Sequence, residues 1–412
     1  MTEYQIHTFS NGIRWVHKPV TNTQIAHCGF ILDIGSRDES PHQMGLAHFW
    51  EHMAFKGTKK RKAFHIINRL ENIGGELNAY TTKEKICFYA SVLDKHFERA
   101  VDLLSDITFQ SIFPEKQIER EKGVILEEMS MYLDSPEDAI QDEFDSLIFG
   151  ENHPLGYNIL GTQESVEGFK KADFEQFLVE NMNTDRIIFS TVGNISYKKA
   201  FKVVEKYLKD IPTIVAKHYR KPFETPKNEL NLIKKSPITQ AHCAIGGQAY
   251  SLSEDIRLAF FLLNNILGGP AMGSRLNLSM RERKGLVYSV ESVYTPYTDT
   301  GMWGIFFGTE KKQLGKALDI VHKELKLLQN TVLGNVQLHN AKEQLMGQLA
   351  MSDENNLSFM LMMGKSLLDT EKIENLEDIF AEIKAIKAVD LQEIAQEIYQ
   401  IDKLKTLQYI PE

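Results

Sequence analysis

Two histidines and a glutamate stand close together in this 412-residue chain, in the segment His48-Phe49-Trp50-Glu51-His52. On an α-helix, residues four apart project from the same face, one turn from each other. Two imidazoles so placed suit a single Zn²⁺ ion, and Glu51 beside them could take a proton from water on the metal. The alternative is an exposed helix face on which these side chains simply meet solvent.

A catalytic zinc site needs a third protein ligand and an open position for water. The acidic segment 119–128 offers candidates, because Glu121 and Glu128 are seven residues apart and face the same neighbour if the segment is helical. Glu127 would point about 100° away, toward solvent. The alternative for any one of these glutamates is a solvated surface residue, so the spacing names candidates without selecting a ligand.

The surrounding chain alternates strands and helices. Hydrophobic periodicity and turn residues predict strands at 5–17, 25–34, 84–93 and 187–192 and helices at 45–56, 64–73, 96–111, 115–133 and 197–209. The histidines therefore lie on a short helix and the glutamates on a long one. We predict that these two helices must meet to form a site.

The order of elements repeats in the second half of the chain. Ala26-His27-Cys28 recurs as Ala241-His242-Cys243, and three prolines interrupt the periodicity between the two halves. We therefore predict a first domain at 1–213, a linker at 214–228 and a homologous domain at 229–412.

Composition excludes several classes of protein as a first hypothesis. The net charge is −9 without basic clusters, which disfavours binding to nucleic acids or anionic membranes. No apolar stretch is long enough to span a bilayer, and the N-terminus does not resemble a signal peptide. Three cysteines are too few and odd in number for a disulfide framework, so we expect a cytoplasmic protein with reduced thiols.

The His48–His52 motif is followed 76 residues later by Glu128, within the pattern Glu-x-x-Val-Ile-Leu-x-Glu. This combination resembles the M16 (pitrilysin/insulinase) zinc metallopeptidases, especially their processing-peptidase-like branch (M16B-like), over essentially the whole chain. The resemblance implies an α+β fold with two homologous domains, each a mostly antiparallel sheet packed with helices (the LuxS/MPP-like metallohydrolase fold). It also implies one Zn²⁺ per chain.

The resemblance assigns roles to individual residues. It implies that His48, His52 and Glu128 bind the metal and that Glu51 is the general base. It implies that Glu121 does not bind the metal but orients its ligands. It places Asn78 and Ala79 on an edge strand that holds peptide substrates by strand addition. The alternative for Asn78 is a turn residue after Gly74-Gly75.

The second half has lost the metal ligands but keeps another pair. At the offsets of the repeat, the positions of His48, Glu51, His52 and Glu128 fall on Leu263, Ile266, Leu267 and Gln348. Arg281 and Tyr288 resemble the Arg/Tyr pair that the family brings to the metal, with the tyrosine stabilising the oxyanion and the arginine holding a substrate carbonyl. The alternative is a solvated arginine and a tyrosine that opens a strand.

The motif and the resemblance together predict a zinc-dependent endopeptidase, and the resemblance implies that it hydrolyses peptides or unfolded segments inside a closed chamber. Because the zinc motif and the Arg/Tyr pair occur in one chain, the resemblance implies a self-sufficient enzyme that forms a homodimer. The alternative is a non-catalytic or partner-dependent subunit of a processing-peptidase-like complex.

Overall fold

The computed structural model describes residues 4–216, 220, 222–226 and 231–412. Its strands, numbered in chain order, are β1 Gln5–Thr8, β2 Arg14–Pro19, β3 Ile25–Leu32, β4 Glu76–Thr81, β5 Ile86–Leu93, β6 Ile187–Gly193, β7 Asn231–Ser236, β8 Ala241–Ala249, β9 Val287–Pro296, β10 Gly301–Thr309 and β11 Lys405–Pro411.

Helices occupy most of the sequence between these strands. They are α1 Leu46–Ala54, α2 Ala63–Glu71, α3 Phe97–Phe109, α4 Glu115–Asp134, α5 Pro136–Phe149, α6 Gln163–Gly168, α7 Lys171–Asn181, α8 Tyr197–Leu208, α9 Arg257–Gly268, α10 Leu314–Asn330, α11 Asn335–Asp353, α12 Asn356–Thr370, α13 Leu376–Ala385 and α14 Ala388–Ile398. Where the sequence predicts individual strands and helices, the structure has elements whose bounds differ by a few residues. Among the described residues, no helix is long and apolar enough to cross a membrane.

The chain divides into two compact units. Unit 1 takes its residues from 1–129, 157–221 and 352–373, and unit 2 from 130–156, 222–351 and 374–412. The predicted two-domain α+β fold is confirmed. The domain bounds 1–213 and 229–412 stay a prediction, and residues 217–219, 221, 227 and 228 of the predicted linker lie outside the described residues.

The sheets of the two units have matching topologies. Unit 1 has the order β1-β2-β6-β3-β5-β4, and unit 2 has the order β7-β11-β8-β10-β9. In each sheet one pair is parallel, β2 with β6 and β7 with β11, and the other neighbours are antiparallel. The repeated Ala-His-Cys tripeptides occupy β3 and β8, which hold the same position in their sheets.

Each unit contains one helix from the other half of the sequence: unit 2 contains α5, and unit 1 contains α12. In unit 2, α5 packs on the sheet, with Phe144 and Phe306 ring centroids 5.6 Å apart. In unit 1, α12 covers an apolar sheet face, and its Met360 and Met363 are fully buried with Ile31. The sequence indicates core packing for these methionines, and their burial confirms it. The exchange itself is not visible in local periodicity.

Candidate metal centre

Helix α1 is held in place from its first residue. Gly45 has φ +91°, a left-handed conformation suited to glycine, and an added Cβ would lie 2.4 Å from the carbonyl oxygen of Leu160. The buried carboxylate of Glu39 accepts hydrogen bonds from the backbone N–H of Gly45 (2.9 Å) and Ala47 (2.7 Å). It thereby satisfies donors that a helix N-terminus leaves unpaired.

The aromatic residues inside the motif anchor this helix in the core. Phe49 packs edge-on against Phe174, and Trp50 against Phe88. Both motif aromatics are completely buried. Their packing fixes the rotation of α1 and so determines the direction in which His48 and His52 project.

The two histidines meet Glu128 from α4. Their ring centroids lie 4.6 Å apart, and Glu128 places one oxygen 3.7 Å from His48 Nε2 and the other 3.4 Å from His52 Nε2. One ligand atom of each residue lies within 4.8 Å of the other two. The structure thus brings together the three residues that the resemblance assigns to the metal.

Glu121 lies on the opposite side of the His52 ring. Its Oε1 is 3.0 Å from His52 Nδ1, and its Oε2 is 2.7 Å from Lys56 Nζ. A proton on Nδ1 donates to this carboxylate, which leaves Nε2 directed toward Glu128. The structure therefore gives different positions to two glutamates that sequence spacing leaves equivalent: Glu128 lies at Nε2 of His52 and Glu121 at Nδ1.

This donor set fits a zinc ion. Two imidazole nitrogens and one carboxylate oxygen are a common catalytic zinc set, and atoms about 2.0–2.1 Å from a tetrahedral ion lie about 3.4 Å from one another. The separations of 3.4 and 3.7 Å are close to that value. The site also leaves His48 Nδ1 buried without a hydrogen-bond partner among the described residues.

The protein environment separates the pKa values of the two imidazoles. Burial, assisted by neighbouring His52, lowers the pKa of His48 to about 4. Burial also disfavours the charged form of His52, but its hydrogen bonds with Glu121 and Glu128 outweigh that effect and raise the pKa of His52 to about 9. The hydrogen bond from His52 lowers the pKa of Glu128. Opposite charges on His52 of α1 and on the glutamates of α4 therefore attract each other across the two helices.

Glu51 lies next to the histidines and is half-buried. The Thr81 hydroxyl donates a 2.6 Å hydrogen bond to Glu51 Oε2. Burial raises the pKa of Glu51, and the bond from Thr81 opposes that rise. The other oxygen of Glu51 accepts no hydrogen bond from a described residue, which suits the carboxylate to accept a proton.

Strand β4 forms one edge of the unit 1 sheet. Asn78 and Ala79 pair with Tyr89 and Phe88 of β5. Asn78 is therefore a strand residue and does not lie in the turn after Gly74-Gly75. The other edge of β4 has no strand partner among the described residues, as strand addition requires.

Arg281 and Tyr288 lie near each other in unit 2. Arg281 is in a π-helical segment, Asn277–Glu282, and Tyr288 is the second residue of β9. The guanidinium carbon is 5.9 Å from the tyrosine ring centroid, and the Tyr288 side chain is 87% exposed. π-Helical turns are rare and often lie at functional sites.

Three residues at the site were not identified from the sequence. Glu39 holds the start of α1, Lys56 pairs with Glu121, and Thr81 positions Glu51. Lys56 comes four residues after His52, just beyond the end of α1, and Thr81 comes two residues after Ala79 on β4, so sequence spacing could have placed each near the motif. Glu39 lies in a loop and gives no such signal.

Comparisons with known proteins identify the family. Residues 15–163 match the family model described as Insulinase (Peptidase family M16), and residues 168–345 match Peptidase M16 inactive domain. The chain is 36% identical to the "uncharacterized zinc protease YmxG" of Bacillus subtilis, covering 96% of each chain. It is 28% identical to the "mitochondrial-processing peptidase subunit beta" of Saccharomyces cerevisiae, covering 92% of this chain and 85% of that one.

A solved structure has the same fold. The crystal structure of a protease from Helicobacter pylori superposes with a TM-score of 0.90 at 19% identity, covering all of both chains. The sequence relatives carry the family assignment, and the structural match carries the fold. The chain belongs to the M16 (insulinase) family of metallopeptidases.

Proposed function

We propose that this protein is a zinc-dependent endopeptidase that hydrolyses peptides or unfolded polypeptide segments. The observation that carries the proposal is the convergence of His48, His52 and Glu128, with Glu51 beside them and Glu121 behind His52. These three ligands would hold one Zn²⁺ per chain. When bound, the ion supplies a Lewis acid for attack on a peptide carbonyl.

The chain's own residues move the protons. Glu51 Oε1, the oxygen that Thr81 does not occupy, takes a proton from the attacking water and later delivers it to the leaving amine. The half-buried position of Glu51 raises its pKa and so strengthens it as a base. Without this carboxylate the site would retain its metal ligands and lose its proton carrier.

The resemblance assigns substrate positioning to two groups of residues. An extended peptide would pair with the β4 edge beside Asn78 and Ala79, which favours unfolded segments over folded domains. Tyr288 would donate a hydrogen bond to the oxyanion, and Arg281 would hold a substrate carbonyl. A cytoplasmic homodimer enclosing a chamber belongs to the same proposal.

Zinc content and cleavage of a quenched, unstructured peptide test this function together. Wild type and Glu51→Gln should each bind one zinc per chain, while cleavage falls by about 10²–10⁴-fold only in the variant. Protein that binds no zinc would overturn the proposal.

The second candidate function is that of a subunit that is non-catalytic or needs a partner chain, because one relative is named as a subunit. Light scattering combined with the cleavage assay separates the two candidates. Activity of the purified single chain excludes the second, and a zinc-loaded but inactive chain favours it.

A further inference from the structure

The turn between β4 and β5 carries three consecutive charged residues that are all buried. Lys83, Glu84 and Lys85 are only 4%, 3% and 8% exposed. Turns normally lie at the surface, and lysine and glutamate are rarely buried unless they are paired. The turn begins directly after Thr81, the residue that donates a hydrogen bond to Glu51. What holds this turn therefore bears on the position of the proposed base.

Two of the three charged side chains have partners in other segments of unit 1. The Lys83 ammonium donates to the backbone carbonyl oxygen of Tyr157. The Glu84 carboxylate lies 2.6 Å from the buried guanidinium of Arg37. Arg220 donates to the backbone carbonyl oxygen of Glu84 at 3.0 Å. Segments far apart in the sequence therefore meet at this turn.

Helix α12 supplies the partner of the third side chain. Its Asp369 places Oδ1 2.8 Å from Lys85 Nζ, and both side chains are largely buried. Burial raises the pKa of Asp369, and Lys85 opposes that rise. Removing one member of a buried ion pair leaves an uncompensated charge, so each side chain holds the other in place. The pair links a helix from the second half of the sequence to the turn.

The same face of α12 also contacts the end of β4. Lys365 Nζ lies 4.9 Å from the ring centroid of Tyr80, the residue before Thr81. Lys365 and Asp369 are four residues apart, so they project from one side of the helix. Helix α12 thus contacts the chain on both sides of the turn, at Tyr80 and at Lys85.

A continuous series of bonds leads from Asp369 to the base. The backbone N–H of Lys85 donates to Thr82 Oγ1 at 2.9 Å, and the N–H of Thr82 donates to the Lys85 carbonyl oxygen at 2.8 Å. Thr82 is joined to Thr81 by a peptide bond, and the Thr81 hydroxyl donates to Glu51 at 2.6 Å. A displacement of Lys85 would therefore move the hydroxyl that orients Glu51.

We propose that Asp369 is a positioning residue for peptide hydrolysis, which through Lys85 fixes the turn after β4 and thereby the orientation of Glu51. This inference rests on the proposed function. A displaced general base lowers the rate even when every reacting group is retained, because proton transfer requires hydrogen-bond geometry. The ion pair lies at the turn and not at Asn78 or Ala79, so its loss should affect kcat more than KM.

A double-mutant cycle in the full-length, zinc-loaded protein tests this role with the quenched peptide. Asp369→Asn should lower kcat about fivefold and change KM by less than about twofold. In the Thr81→Val background, where the orienting hydroxyl is already absent, the same substitution should lower kcat by less than about twofold. Lys85→Gln removes the other partner and should couple to Thr81 in the same way, which decides the question if Asp369→Asn does not fold. Effects that simply multiply overturn the inference.

The matched control is Asp102→Asn. Asp102 forms another largely buried ion pair in unit 1, with Arg61 and Arg69, so its substitution should cost comparable stability. Its effect on kcat should be the same with and without the Thr81 hydroxyl. A control that couples to Thr81 as strongly as Asp369→Asn would reflect a general loss of stability and overturns the inference.

Hydrogen exchange at the amides of Thr82 and Lys85 tests the link without cleavage. Asp369→Asn should accelerate exchange at both amides about tenfold, whereas Asp102→Asn should leave them unchanged. Unchanged exchange in Asp369→Asn overturns the inference, whatever the activity. Wild-type protein that binds zinc but does not cleave the peptide contradicts the proposed function instead, and exchange alone then decides whether Asp369 holds the turn.

Discussion

Helices α1 and α9 hold the same place in two sheets of matching topology, yet they have opposite chemistry on one face. His48 and His52 of α1 meet the carboxylates of α4, whereas Leu263 and Leu267 of α9 are fully buried in the unit 2 core. The corresponding position to Glu121 on α11 is Ala341, also buried. Each unit thus accommodates its own set, and under the proposed function the polar set of unit 1 serves the metal at a cost in packing.

Replacing both histidines by leucine in unit 1 should break this contrast. The variant His48→Leu/His52→Leu gives α1 the face of α9, and we expect loss of zinc and a fall in peptidase activity of at least about 10⁴-fold. Elemental analysis and the quenched-peptide assay measure both. Circular dichroism should show an intact fold, because Phe49 and Trp50 still anchor the helix. Retained zinc would place the metal elsewhere.

The reverse change tests the packing side of the contrast. Leu267→His puts an imidazole into an apolar core, and we expect the free energy of unfolding to fall by about 2–5 kcal/mol. Urea denaturation measures this loss. Leu267→Met is the matched control and should cost less than about 1.5 kcal/mol. If the histidine variant were as stable as the methionine variant, the burial of α9 would not explain its sequence.

Glu121→Gln sharpens the distinction between a ligand and its support. The amide keeps the shape but weakens the hydrogen bond that orients His52, so zinc affinity should fall by about 10–100-fold. Competition with a chromogenic chelator measures the affinity. Glu127→Gln, at an exposed position on the same helix, should change nothing. Equal effects of the two variants would contradict the role given to Glu121.

Thr81→Val removes the hydrogen bond to Glu51 while preserving side-chain shape. We expect kcat to fall about tenfold with KM unchanged, because the base loses its orientation and the substrate keeps its contacts. Thr81→Ser retains the hydroxyl and should restore kcat. Full activity in Thr81→Val together with a loss in Thr81→Ser would mean that the methyl group matters and the hydrogen bond does not.

The smallest expected effect concerns pH and unit 1. Arg220 lies 2.9 Å from Asp33 and 2.8 Å from Asp38. Burial alone would raise the pKa of Asp33, but Arg220 and Arg186 outweigh it and lower that pKa. The ion pair therefore stabilises unit 1 above the unfolded pKa of about 3.9, and this contribution is lost as pH falls through the folded value.

Hydrogen exchange at pH 6 and pH 3.5 measures this effect. Protection in β2 and β3 should decrease on acidification more in wild type than in Asp33→Asn, which has already lost the contribution. Strands β8 and β10 serve as the internal reference. An identical response in the variant would show that Asp33 does not carry the acid sensitivity.

Local spacing made much of the site predictable. The four-residue interval puts His48 and His52 on one face, and the seven-residue interval puts Glu121 and Glu128 on another. The choice between those glutamates depends on the distance between two helices, which periodicity does not contain. Strand periodicity points to Thr81, but its bond to Glu51 spans 30 residues of sequence and no local pattern contains it. Glu39 lies in a loop and gives no such signal.

The exchange of α5 and α12 has a consequence for how the chain is made. The strands of the unit 1 sheet are complete at Gly193, but the helix that covers its apolar face ends only at Thr370. During synthesis, that face must wait for most of the remaining chain, exposed to water or to chaperones. Such distant contacts favour slow folding, and they make a nascent chain truncated before α12 a natural substrate for quality control.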